Sequence, residues 1–215
     1  MTFSIVARDP QTGALGVATA TAGPAVGALV IHGRAQTGAI ATQAMTNPLY
    51  GLRGLALLKA GEGAAQVMRT LLDDDPEAAR RQLMIVDCLG GIAHWTGGEC
   101  GEFADSLEST ACTVGGNLLT GPDTLYEMMG VYQQQSALPF ADRLLAAMCA
   151  GAAAGGDRRG LKSAALQVWH DREYASIDIR ADWNDDPMAA LAEILQQTRQ
   201  PSHADFFAAL PKGQP

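Results

Sequence analysis

Close cysteine pairs, a run of basic residues, a long apolar stretch and an abundance of aromatic side chains are all missing from this chain. Its four cysteines, Cys88, Cys100, Cys112 and Cys149, are far apart. That spacing excludes the paired ligands of a zinc ribbon and the Cys-x-x-Cys redox motif. Isolated thiols are the simplest reading of them. Lysine and arginine total 15 against 23 acids, a formal net charge of -8. A nucleic-acid surface needs concentrated positive charge, so no nucleic-acid partner is expected. No uninterrupted apolar run reaches membrane length and no charged leader with a cleavage site precedes the first strand. The expectation is a cytoplasmic protein with no membrane partner. The histidines at 32, 94, 170 and 203 are too dispersed for a metal motif. No metal and no organic cofactor is expected.

What is present is a chain of 215 residues, 47% hydrophobic and rich in glycine (24 residues). That length suits one sizeable core. The run Thr2-Phe3-Ser4-Ile5-Val6-Ala7-Arg8 alternates, turns at Asp9 to Ala14, and resumes over Leu15 to Thr21, which predicts a β-hairpin. Further strands are predicted at 28–31 and 39–44. From Leu52 the apolar period becomes helical, with two helices divided by Gly61 and Gly63. The triple Asp73-Asp74-Asp75 before Pro76 reads as a solvated boundary, its last aspartate capping a short helix over 77–81. Strands at 83–87, 92–96 and 111–114 flank a polar loop at 97–110. Helices follow at 123–134 and 140–150. Two strands at 163–170 and 174–180 and a helix at 187–198 complete a single domain over 1–199. Residues 200–215 are expected to form an extension, either a docked helix or a loose terminus. The order of strands and helices points to an α+β fold in which antiparallel sheets each carry a helical layer.

Only Met1 precedes Thr2. Removal of that methionine would leave a free amine, of ordinary pKa about 8, beside the Thr2 hydroxyl as a base for it. Ser4 has the same strand parity and reads equally as a group that orients the amine and as an ordinary strand hydroxyl. Gln43 and Asn47 lie where a strand gives way to the segment Thr46-Asn47-Pro48, a common position for binding groups. Asn117, after Gly115-Gly116, reads equally as an oxyanion donor and as a turn residue. Asp157 and Arg159 are opposite charges in a glycine-rich loop, suited to orienting an amine or clamping a carboxylate, or to a surface ion pair. Ser163 opens the following strand. Asp87 and Asp178 also lie on predicted strands, but nothing in their spacing brings them together.

The opening Thr2 to Asp9, the run Gly38 to Ala44 with Asn47-Pro48-Leu49-Tyr50-Gly51, Gly116-Asn117-Leu118-Leu119 and Gly156 to Leu166 together resemble the DUF1028 family. That resemblance implies the N-terminal nucleophile (Ntn) hydrolase superfamily and its four-layer αββα sandwich of two antiparallel sheets. It also implies amide hydrolysis with Thr2 as nucleophile. Asn117 and Asp157 are then expected as catalytic partners, and Ser4, Gln43, Asn47, Arg159 and Ser163 as substrate-binding residues. The lysine with which proteasome-like relatives tune the amine has no counterpart, since no lysine precedes Lys59. The expected partner is a small-molecule substrate, with a homodimer the expected assembly. The alternative is a non-catalytic small-molecule binding protein on the same fold.

Overall fold

The computed structural model describes residues 2–214. Met1, on whose removal the nucleophile reading turns, lies outside the described residues. Alternating side chains build the first two strands, β1 (Thr2–Arg8) and β2 (Leu15–Thr21), as an antiparallel pair. The strands β3 (Ile31–Arg34), β4 (Gly38–Ala44), β5 (Arg81–Asp87) and β6 (Ile92–Thr96) form one antiparallel sheet in sequence order. The other sheet has six strands in the order β10-β9-β2-β1-β8-β7. Its remaining members are β7 (Asp105–Ser109), β8 (Cys112–Asn117), β9 (Ser163–Trp169) and β10 (Ile177–Ala181). The described residues also form six α-helices: α1 (Leu49–Lys59), α2 (Ala64–Asp73), α3 (Asp123–Gln134), α4 (Phe140–Ala153), α5 (Pro187–Gln197) and α6 (Pro201–Ala209). The fold is therefore mixed α+β with two antiparallel sheets.

Strand parity divides the apolar side chains into three clusters. Phe3, Ile5 and Ala7 pack with Val114, Leu166 and the stripes of α3, α4 and α5, including Met128, Leu144, Met148 and Leu191. The opposite face of β1 and β2, with Val6, Leu15 and Val17, meets Ile31, Ala41, Met84 and Val86 of the other sheet. Ile40, Leu83 and Ile85 pack against Tyr50 and Leu58 of α1 and against Val67 and Leu71 of α2. At Gly115 the sheets come close: a Cβ there would lie 2.8 Å from Met84 Sδ. Only a residue without a side chain fits.

Three local expectations are corrected. Residues 28–31 are not a strand: Val26–Ala28 is a 3-10 turn, and β3 begins at Ile31. Val26, Val30 and Ile31 bury their side chains between the sheets all the same, so apolar content there reflects burial rather than extension. The loop expected at 97–110 contains β7, an edge strand with two acids and two serines in five residues. Asp75 is not a solvated boundary either. Its carboxylate accepts hydrogen bonds from Arg81 Nε (3.0 Å), the Tyr50 hydroxyl (2.8 Å) and Asn47 Nδ2 (3.1 Å). It does accept from the Glu77 N–H at 2.9 Å, but the residues that follow form a 3-10 turn, Ala78–Arg80, before β5.

All four cysteines are free thiols. Among the described residues, no helix is long and apolar enough to cross a membrane.

Candidate active site

Between the sheets the core changes character along the strands. At one end it is apolar; at the other, Thr2, Ser4, Thr19, Thr21, Gln43, Gln82, Asn117 and Ser163 are all buried. Register makes this polar end. Thr2 is the Cα partner of Thr21 on one side and of Asn117 on the other, and Thr21 is in turn the partner of Ser163. Four neighbouring strands thus place Ser163, Thr21, Thr2 and Asn117 in one row. Cross-strand partners share a face, and this face looks toward Gln43 and Gln82 of the other sheet.

Buried polar groups need partners, and here two glutamines supply most of them. Gln43 Nε2 donates to Gln82 Oε1 (2.7 Å), to the Gly115 carbonyl (3.2 Å) and to the Thr2 carbonyl (3.3 Å). Gln43 Oε1 accepts from the Ser4 hydroxyl at 2.6 Å, with Thr19 Oγ1 a further 2.8 Å neighbour of that hydroxyl. Gln82 Nε2 reaches Thr96 Oγ1 (2.9 Å) and the carbonyls of Gly116 (2.9 Å) and Asp105 (3.0 Å). Asn117 Nδ2 donates to Gln82 Oε1 (3.0 Å) and, more weakly, to the Thr2 carbonyl (3.4 Å). The Thr2 backbone is thereby gripped by two side-chain amides, while its hydroxyl lies 3.3 Å from that of Thr21.

One atom in this network is left over. Asn117, only 1% exposed, buries its Oδ1 without a hydrogen-bond partner among the described residues. Asn117 also lines a cavity of about 230 Å3 shared with Ala44, Met45, Arg80, Glu99, Cys100 and Leu118. The residues that follow Gln43 and Asn117 are both left-handed, Ala44 at φ 68° and Leu118 at φ 51°. Non-glycine residues adopt that conformation at a cost of about 1–3 kcal/mol, and such strain concentrates at functional sites. An orphaned acceptor and two strained residues around one cavity make this end of the molecule the candidate site.

Asp157 is drawn to the same end. Its side chain is fully buried. Oδ2 accepts from the Ala22 N–H, next to Thr21, at 2.9 Å and from Arg159 Nη2 at 3.1 Å; Oδ1 accepts from the Arg159 backbone N–H at 2.9 Å. Its backbone bridges Leu119, two residues beyond Asn117. Arg159 is half exposed and pairs with this carboxylate. Ser163 ties down the loop after β2, accepting from the Val26 N–H at 3.1 Å and donating to the Gly23 carbonyl at 2.6 Å.

Thr2, Ser4, Gln43, Asn117, Asp157, Arg159 and Ser163 are thus brought together. Asn47 is bound elsewhere, in the Asp75 cluster beside Tyr50 and Arg81. Asp87 and Asp178 lie in different sheets: Asp87 receives the Ala64, Leu89 and Gly91 N–H groups, and Asp178 accepts from Gln167. Thr21 and Gln82, central to the network, carry no motif and are absent from the expected set. The available signal was a buried-strand parity shared by Thr19 with Thr21, and by Gln82 with Met84 and Val86.

Among solved structures, the protein SPO2555 from Silicibacter pomeroyi, described as a DUF1028 family protein, is 34% identical. It superposes with a TM-score of 0.92 over 98% of this chain and 92% of that chain. Anbu (ancestral beta-subunit) from Yersinia bercovieri aligns over 97% of this chain and 98% of its own, with 10% identity and a TM-score of 0.39. No curated protein matches the chain. The model of DUF1028, a family of unknown function, matches residues 2–191, and the chain belongs to that family.

Proposed function

We propose that this protein hydrolyses an amide or related acyl bond in a small metabolite, with Thr2 as an N-terminal nucleophile exposed by removal of Met1. The reading includes the Ntn hydrolase architecture, a four-layer αββα sandwich. Its support in the fold is the three-cluster core, with helices against the outer face of each sheet. The observation that carries the chemical reading is the row Ser163-Thr21-Thr2-Asn117 at the polar end of the inter-sheet core, beside a cavity and strained backbone.

In the proposed reaction the Thr2 amine takes the hydroxyl proton as Oγ1 attacks the acyl carbon. The amine then delivers that proton to the leaving nitrogen, and water releases the acyl group. Both Asn117 N–H groups are directed at Gln82 and Thr2, so its side chain holds the nucleophile's backbone in place. Its free Oδ1 is an acceptor, suited to an N–H of the substrate or of the freed amine. Oxyanion stabilisation then falls to the backbone N–H of Leu118, since those of Leu119 and Thr120 donate to the Phe103 and Gly156 carbonyls. Asp157, with Arg159 across its carboxylate, anchors the β2 end next to Thr21.

The test uses Met1-free protein, wild type and Thr2→Ala, on a panel of acyl amides and anilides. Turnover by the wild type that falls by at least about a thousandfold in Thr2→Ala supports the reading. Turnover that survives the substitution contradicts it. A non-catalytic binding role is the second reading. What favours it is that the Thr2 hydroxyl faces another hydroxyl, and that the side chains bonded to Thr2 among the described residues are Thr21, Gln43 and Asn117, with no lysine. Saturable ligand binding with Met1 retained and no turnover would select it.

A further inference from the structure

Arg8 ends β1 opposite Thr2, about 20 Å away at roughly 3.3 Å per strand residue. Acids outnumber bases 23 to 15, so cations have no shortage of partners. Among the described residues, each of the other partly or fully buried cations except Arg143 uses one. Arg34 reaches Glu173, Arg80 and Arg81 reach Glu77, Lys162 reaches Asp185, and Arg172 reaches Asp171. Arg143 donates to the Tyr132 carbonyl and lies over its ring. Among the described residues, Arg8 alone is half-buried with neither an ion pair nor a side-chain hydrogen bond. Its Nε is shut off from solvent without an acceptor. Leaving a buried donor unsatisfied costs about 1–3 kcal/mol, more when it is charged.

Arg8 borders a cavity of about 410 Å3, with Thr12, Gly13, Gln36, Cys88, His170 and Asp171 around it. The nearby carboxylates are committed elsewhere. Asp171 Oδ1 accepts from Arg172 Nε at 3.3 Å and Oδ2 accepts from Lys212 Nζ. Asp9 accepts from the Gln11 N–H and the Thr12 hydroxyl. Gln36 is held at φ 56° on the turn between β3 and β4. The side chains of Gln36 and His170 are exposed, with no hydrogen-bond partner among the described residues.

We propose that this cavity binds a small oxyanion, a carboxylate or a phosphate, through the Arg8 guanidinium, with Gln36 and His170 as accessory donors. A guanidinium presents a planar fork of donors matched to two oxygens of either group. The volume is that of a small-metabolite pocket. The site is separate from Thr2, and the proposal stands whether or not Thr2 is a nucleophile.

The test is a titration of the 15N-labelled full-length protein, with its arginine Nε–H resonances assigned, at ionic strength held constant with chloride. Sodium phosphate is one arm; acetate and succinate are the other. A saturating shift of the Arg8 Nε–H resonance is expected with at least one class, and the arm that saturates names the source. Arg8→Lys should weaken binding about tenfold, since a point charge replaces the fork. Gln36→Ala should weaken it less and leave the fold intact. An Arg8 resonance that stays put, or drifts without saturating to tens of millimolar in both arms, overturns the proposal. The wild-type titration decides this even where Arg8→Lys does not fold.

Discussion

Gln82 occupies the first position of β5 that points between the sheets, and five groups bond to its side chain. Its Nε2 serves the Thr96 hydroxyl and the Gly116 and Asp105 carbonyls, and its Oε1 accepts from Gln43 and Asn117. Gln82→Leu keeps the volume but removes all five bonds, leaving the Gly116 and Asp105 carbonyls without this donor. We expect a loss of about 2–4 kcal/mol in urea unfolding, beyond that of an exposed glutamine, because each buried orphan carries its own desolvation cost. A change below about 0.5 kcal/mol would show that water replaces the amide there. The residues that sequence reading singled out, Thr2, Asn117 and Asp157, were legible because hydroxyl, amide and carboxylate stood out beside glycines or at the start of a strand. Gln82 and Thr21 were not. A glutamine in an apolar strand looks like a solvent-facing residue until the second sheet is known to cover that face.

The elements α1 and β5 are joined by one acid. Burial by itself would raise the Asp75 carboxyl, but the hydrogen bonds from Arg81, the Glu77 N–H, Tyr50 and Asn47 outweigh it and hold it well below the usual carboxylate range. The unfolded chain, with an ordinary value near about 4, takes up its proton first as pH falls. The stabilisation is therefore complete above about pH 5 and is lost progressively as the medium acidifies toward the folded value. Asp75→Asn should lower stability by about 2–4 kcal/mol at neutral pH, and the gap to wild type should narrow by about pH 3. Urea unfolding at the two pH values checks this; an equal gap at both would mean that the charge of Asp75 contributes nothing. The helices were legible at this scale: α3 agrees with its expected bounds, and α4 and α5 share their expected first residues, because their apolar stripes recur at helical period. β7 was hidden because an edge strand buries only one flank. Leu107 is its single apolar residue, so no alternation of apolar and polar side chains announces it.

Across the whole molecule, the two sheets and five of the helices share the three buried clusters, while α6 contributes no buried residue. It is held through a few contacts: Arg172 Nη1 donates to the Phe207 carbonyl (3.2 Å), the Glu173 N–H to the Lys212 carbonyl (2.8 Å) and the Tyr174 hydroxyl to the Pro211 carbonyl (3.0 Å). A chain ending at residue 199 should still unfold in one cooperative transition, with stability reduced by about 1–3 kcal/mol. Loss of cooperative unfolding would show that residues 200–215 belong to the folding unit. The central claim concerns the other terminus. Its most direct test is the intact mass and N-terminal sequence of the protein recovered from its native cell. The account predicts a mature chain that begins at Thr2 with a free amine. Quantitative retention of Met1 would remove the proposed base and contradict nucleophilic hydrolysis by Thr2.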